Sequence, residues 1–534
     1  MTKERLYIFD TTMRDGQQTS GVDFAVADKI RLARALDALG VDYVEGGYPG
    51  ANPTDTQFFE MLDNEGGLKN AAVTAFGMTK RAGRSADNDP GFAEILAAPS
   101  QAVCLVAKAW DYHVDVALGI SNEENIASIK DSVAAVAATE REAMIDCEHF
   151  FDGYKANADY ALACAEAALE AGARWVVLCD TNGGTMPDEI FEIVSTLAAH
   201  LPKEKLGIHT HNDTENAVAN TLAAIQGGAR QVQGTINGLG ERCGNANLVS
   251  LIPTLLLKPH YGDNFTTNIV ADKLPQLRQL SLLLDDILNR TPNHHAPYVG
   301  ASAFAHKGGI HVSAVMKDPT TYEHVPPEKV GNERSILVSN QAGRSNVINR
   351  LKAAKIAFDE KDPAIDHILR EVKDKELAGY SYDGIGASFE LLALRQMQLL
   401  PDYFQVQEYD VQVCQSATGS STKACVTLVI DGEAIESCGS GNGPINALDM
   451  ALRGDLKRYA RYIEDMRLID FKVRILNTGT EAVTRVTIES ADKSGHSWRT
   501  IGVNANIVVA SFEALHDGVI YKLYRDGVSS APIA

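Results

Sequence analysis

The chain has 534 residues, 45% of them hydrophobic and 22% charged, with a formal net charge of -21. A chain of this length and composition buries a large core in more than one domain, and its acidic balance excludes a basic nucleic-acid-binding surface. A small anionic substrate must therefore find its own local cations.

From the N-terminus, MTKERLYIFD passes straight from a charged tetrapeptide into a short strand, with no signal-like apolar segment. No run of about 18 apolar residues follows anywhere, so the protein is expected to be cytoplasmic, neither exported nor membrane-spanning. Short apolar runs of strand length then recur: LYIFDTT, DYVEGGY, AVTAFG, AVCLVAKA, EAMIDCE, RWVVLCD, LGIHTH and QVQGTI. Between them lie segments of helical period, such as DKIRLARALDALG and ADYALACAEAALEAGA, with Gly as the stop signal. Eight strand-helix units within residues 1–265 predict an α/β fold, a (β/α)₈ TIM barrel. An open doubly wound sheet is the alternative, but no GxGxxG follows the first strand. Cys104, Cys147, Cys164, Cys179, Cys243, Cys414, Cys425 and Cys438 form no CxxC pair and lie partly in apolar runs. They read as reduced core thiols, with no disulfide or zinc framework.

Barrel enzymes place their chemistry at the C-terminal ends of the strands. Those ends carry Arg14 and Asp15, Glu45, Asp146 and Glu148, Asp180 and Thr181, His209 and His211, and then Asn237 and the loop GERCGNAN. Side chains alternate along a strand, so His209 and His211 face one way and Thr210 the other. Two imidazoles on one face, with a carboxylate from a neighbouring strand, make a divalent-metal site. Nitrogen and oxygen ligands without thiolate suggest Mg²⁺ or Mn²⁺, with Zn²⁺ as a third option. The alternative for Arg14 is a salt bridge at the barrel rim.

DTTMRDGQQ, HTHND and NGLGERCGNAN, in this order on the predicted strands, resemble the acyl-CoA-condensing barrel enzymes that include 2-isopropylmalate, homocitrate and citramalate synthases. Within that family EGGYPGANPTD, DCEHFFDGY and DTNGGT are most similar to the citramalate-forming branch, which takes pyruvate as acceptor. The resemblance implies metal ligation by Asp15, His209, His211 and Asn245, and contact of Arg14, Thr181 and Glu45 with a 2-oxo acid. Glu148 would orient acetyl-CoA or a catalytic water. AFAHKGGIHVSAV resembles the family segment that reaches a partner subunit's active site, with His311 as the base; a core or surface histidine is the alternative for both His306 and His311.

Residues 266–395 are expected to form helical linker subdomains that contribute to the partner's active site in a homodimer. From about residue 396 the pattern changes to strands YDVQVCQ, KACVTLVI, DFKVRIL and TRVTIES with helices in INALDMALRGDLKRYARYI and NIVVASFEALHDGVIYKLY, an α+β region over 396–534. It resembles the family's C-terminal regulatory domain, which binds an end-product amino acid. ESCGSGNG (436–443) reads as a Gly-rich turn entering a helix, whose N-terminus suits a carboxylate. Citramalate as product implies isoleucine as allosteric inhibitor, with no nucleic-acid or membrane partner. The alternatives are a 2-isopropylmalate synthase acting on 2-oxoisovalerate and a catalytically inactive amino-acid sensor.

Overall fold

The computed structural model describes residues 3–530 except 338, 340, 341, 383, 418 and 477–481. The eight predicted strands form a closed parallel barrel in sequence order: β1 Tyr7–Asp10, β2 Tyr43–Gly47, β3 Ala72–Met78, β4 Ala102–Lys108, β5 Glu142–Glu148, β6 Trp175–Asp180, β7 Leu206–Thr210 and β8 Gln231–Gly234, with β8 closing on β1. The period of two sorts each strand. Ile8, Val44, Val73, Leu105, Ile145, Leu178, Ile208 and Val232 face outward and are buried under the surrounding helices. Each such side chain contributes roughly 1.5–3 kcal/mol of burial.

The inward set begins apolar, with Phe9, Tyr43, Met144 and Trp175 packed together inside the barrel. It turns polar toward the C-terminal ends, where Glu45, Asp146, His209 and Gln233 are all buried. Polar groups gathered at that end suit a binding cavity, because buried polar groups need partners.

The chain divides into two compact units, residues 1–304 with 325–333, and residues 305–324 with 334–534. The stretch expected as a linker is thus shared between them. In the first unit the helix Gln276–Ile287 buries Leu277, Leu280 and Leu284 in the barrel's outer core. The second unit holds the helices Gly309–Val315, Arg344–Ala353, Ala364–Leu377 and Gly386–Gln396 and the α+β region.

That region is built twice over from three antiparallel strands and a helix: β9 Gln405–Ser416, β10 Gly419–Ile430 and β11 Glu433–Gly441 precede the helix Pro444–Gly454, and β12 Arg467–Ile475, β13 Thr484–Ala491 and β14 Ser497–Asn504 precede the helix Ile507–Arg525. Alternate residues of β10 and β13, among them Val426, Leu428, Val486 and Ile488, share one core with Leu448, Leu452, Leu515 and Val519 of the two helices. The strands β11 and β14 escape the sequence pattern.

The segment ESCGSGNG is a strand through Gly441 rather than a turn. Gly439 is there for packing: a Cβ on it would stand 2.6 Å from the backbone nitrogen of Ala451 and 2.8 Å from the carbonyl oxygen of Ala447. The helix that follows ends at Gly454, so INALDMALRGDLKRYARYI is broken rather than continuous.

The β10–β11 hairpin also corrects the cysteine reading. Its register sets Cys425 opposite Cys438, and the two are joined in a disulfide with Cα atoms 4.1 Å apart. Spacing alone did not reveal this, because the pairing depends on where the hairpin turns. Cys243 and Cys414 are exposed rather than in a core, while Cys104, Cys147, Cys164 and Cys179 are buried as expected. Among the described residues no helix is long and apolar enough to cross a membrane.

Candidate metal centre and active site

The loop after β1, the end of β7 and the loop after β8 meet at the C-terminal mouth of the barrel. His209 on β7 and His211 just beyond its end both turn inward, and their Nε2 atoms stand 3.3 Å apart. Asp15 Oδ2 is 3.5 Å from His209 Nε2 and 3.9 Å from His211 Nε2. Ligands at right angles around one ion with bonds of about 2.1 Å stand roughly 3 Å apart, so a divalent cation fits with a small contraction. Asn245 is brought alongside by a β-bridge with His211. Gly240 leaves room for the amide, since a Cβ there would lie 2.5 Å from Asn245 Oδ1.

Orphaned atoms supply a second test of fit. Asp15 Oδ1 and both polar atoms of the Asn245 side chain are buried with no hydrogen-bond partner among the described residues. Buried polar atoms are rarely left so, and an unplaced ion or water is the usual reason. Protonation states agree. Burial by itself raises the Asp15 carboxyl, but Arg14 and the two imidazoles outweigh it and hold the group at about 2. Burial and the neighbouring His209 push His211 down to about 3. Both groups are therefore deprotonated at neutral pH, as metal ligation requires.

Arg14 stands beside this cluster. Its Nε donates to Glu45 Oε2 at 2.7 Å, its Nη1 lies 3.2 Å from Asp15 Oδ2, and its guanidinium stacks 3.9 Å over the Phe76 ring. A cavity of about 180 Å³ is lined by Arg14, Asp15, Phe76, Asp146, Glu148, Thr181, His209 and His211 among others. Six of the expected residues thus share one cavity, with Asn245 bridged to one of them. Glu45 does not line it. Fully buried behind Arg14 and also accepting from the Thr11 hydroxyl, it holds the guanidinium from behind. Burial raises its pKa against the pull of Arg14.

Glu148 pairs with Lys108, and Thr181 Oγ1 accepts from the backbone nitrogen of His149 at 2.8 Å. A second cavity of about 280 Å³ shares Val106 and Glu148 with the first and is lined by the cations Lys80, Arg81 and Lys108 as well as by Asp89. His306 and His311 lie in the other unit. His306 Nε2 is 3.0 Å from Glu323, which also holds Arg334, while His311 is exposed and stacks on Tyr322 with ring centroids 4.2 Å apart.

Sequence reasoning passed over Phe76, Lys108 and Gln233. Gln233 had a legible signal: an amide at an inward position of a completely buried strand.

Residues 5–280 match the HMGL-like family model, 298–378 the homocitrate synthase post-HMGL domain-like model, and 385–523 the LeuA allosteric (dimerisation) domain. Fold and matches together define an HMGL-like barrel enzyme, an acyl-CoA-condensing transferase carrying a LeuA-type domain. The chain is 46% identical to the (R)-citramalate synthase of Aquifex aeolicus over 98% of both chains, and 46% identical to that of Synechocystis over 98% of this chain and 96% of the relative. A 2-isopropylmalate synthase from Synechococcus is 30% identical over 96% of this chain and 93% of its own. The chain belongs to the (R)-citramalate synthase family.

Proposed function

We propose that this chain joins acetyl-CoA to pyruvate and releases citramalate and CoA, with the chemistry at the cluster of Arg14, Asp15, His209, His211 and Asn245. The observation that carries the reading is the convergence of Asp15 Oδ2 and two imidazole Nε2 atoms beside a buried guanidinium, in a chain 46% identical to (R)-citramalate synthases. Asp15, His209, His211 and Asn245 would hold a divalent ion, Mg²⁺ or Mn²⁺ by ligand chemistry, which when bound supplies Lewis-acid polarisation of the acceptor's keto group.

The protein's own groups then divide the work. Thr181 holds the pyruvate carboxylate. Arg14, fixed by Glu45 and stacked on Phe76, presents positive charge where the keto oxygen becomes an alkoxide, and such a fixed charge stabilises the transition state more than the ground state. The groove lined by Lys80, Arg81 and Lys108 takes the CoA arm, and Glu148 orients the thioester. His311, from a partner subunit, accepts a proton from the acetyl methyl as the carbon–carbon bond forms. Water then cleaves the thioester, leaving a carboxylate and free CoA thiol.

The LeuA allosteric (dimerisation) match supports a homodimer under feedback control, as do the exposed apolar residues Val413, Ile469, Val473 and Ile475 on β9 and β12. Isoleucine as the inhibitor and a cytoplasmic location complete the proposal. A 2-isopropylmalate synthase is less well supported, since a relative so named shares only 30% identity.

The test is acetyl-CoA-dependent release of CoA with pyruvate, 2-oxoisovalerate and 2-oxoglutarate side by side, in Mg²⁺ or Mn²⁺ and after chelation. Metal-dependent turnover with pyruvate is the expected result. Preference for 2-oxoisovalerate moves the chain to isopropylmalate synthesis, and silence with all three in folded, metal-loaded protein leaves the sensor reading.

A further inference from the structure

His209 and His211 differ in how they are held. His211 Nδ1 is buried with no partner among the described residues, whereas His209 Nδ1 lies 2.8 Å from Gln233 Oε1. The Gln233 amide is itself tied down: its Nε2 donates at 3.0 Å to Asp146 Oδ1, which also receives the Cys104 thiol at 3.2 Å. Gln233 is completely buried, so its amide has no bulk water as an alternative partner, while Asp146, 4% exposed where it lines the cavity, keeps its Oδ1 on these two donors.

We infer that Asp146 and Gln233 form a positioning relay that selects the tautomer of His209 and so prepares its Nε2 to bind metal. The logic is one of donors and acceptors. Asp146 Oδ1 accepts twice, and it remains an acceptor even with a proton on Oδ2. The amide of Gln233 must therefore direct its NH₂ at Asp146 and its carbonyl oxygen at His209. A carbonyl oxygen only accepts, so Nδ1 of His209 carries the proton and Nε2 keeps its lone pair, aimed toward Asp15 Oδ2 and His211 Nε2. Three strands take part: β8 pairs with β7, and Gln233 reaches across the barrel interior to Asp146 on β5. Groups that orient a metal-ligating imidazole in this way change metal affinity by about 10- to 100-fold when removed.

The relay rests on the metal reading above, and the test separates the two. Mn²⁺ affinity of the full chain is measured by titration against the free-ion resonance signal, without substrate. Gln233→Met should weaken binding about 10- to 100-fold. Asp146→Val, which lets the amide flip, should also weaken it, while Asp146→Asn, which keeps an oxygen acceptor, should stay within a few fold of native. The Asp146→Val/Gln233→Met double variant should bind no more weakly than Gln233→Met alone, because the carboxylate acts only through the amide.

Native-like affinity in Gln233→Met, or losses that multiply in the double variant, would overturn the relay while leaving the metal reading intact. Failure of native protein to bind Mn²⁺, or native-like affinity in His209→Asn, would remove both. Should the Gln233 or Asp146 variants not fold, nitrogen NMR of the native protein labelled at histidine decides the point. The imidazole signals absent from His209→Asn must show a protonated Nδ1 and a bare Nε2; the opposite tautomer overturns the proposal.

Discussion

At the scale of single residues, the site divides into groups that touch the cavity and groups that aim them. Arg14 touches; Glu45 aims. Arg14→Ala should therefore lower kcat for citramalate formation by about 100-fold or more while Mn²⁺ affinity stays within a few fold of native. Equal loss of metal binding would make the arginine a support for Asp15 instead. The common face of the histidine pair was legible in the sequence, because HTH at the end of a strand declares its face by period, whereas Asp15 and Asn245 lie in loops to which no strand period applies. The role of Glu45 and the Asp146–Gln233–His209 chain were not legible, because they depend on which inward side chains meet inside the closed barrel and at what height.

Asp10, fully buried at the end of β1 and bonded to the Thr12 nitrogen and hydroxyl, shows a different residue-scale effect. Burial lifts its carboxyl from 3.8 to about 7. Between those values the folded chain keeps a proton that the unfolded chain has released, so this group's contribution to stability falls as pH rises through the window. Asp10→Asn removes that dependence: its Tm relative to native should climb between pH 5 and pH 8, and a constant difference would contradict the assignment.

At the scale of elements, Lys29 on the helix Val26–Leu39 shows how the mouth of the barrel is braced. Its ammonium is fully buried, paired with Asp55, and donates to the carbonyl oxygens of Met13 at 2.9 Å and Gly46 at 3.0 Å. Those residues adjoin Arg14 and Glu45, so one side chain ties together the backbones that present both. Lys29→Met leaves Asp55 buried without its cation and should cost about 3–5 kcal/mol in chemical denaturation; a loss below about 1 kcal/mol would show that Asp55 finds another partner.

The same scale explains the misread glycines of β11. Gly is an ordinary turn signal, and nothing in ESCGSGNG distinguishes a glycine needed for φ from one needed for space. Only the helix lying on the strand makes the difference. The eight barrel strands were legible because each is an apolar run bracketed by helical periods.

At the scale of the whole molecule, the cluster of Asp15, His209 and His211 and the imidazole of His311 belong to different compact units. If the base acts from a partner subunit, Arg14→Ala and His311→Ala should each be nearly inactive alone. Co-expressed, they should recover about a quarter of native activity, since half of randomly paired dimers carry one unmutated site of two. No recovery would mean that each site is completed within one chain. The resemblance of AFAHKGGIHVSAV implied a partner's active site as the segment's destination, whereas residue periods within one chain do not specify a neighbour.

Cys243, exposed in the loop that carries Asn245, bears on how this enzyme can be watched at all. Turnover liberates a thiol, and the dyes that report it are thiol-reactive disulfides. Left in the cuvette throughout, such a dye should derivatise Cys243, two positions from Asn245, and silence the catalyst as it counts the product. Progress curves recorded that way should bend over with time, whereas aliquots quenched before the dye is added should run straight.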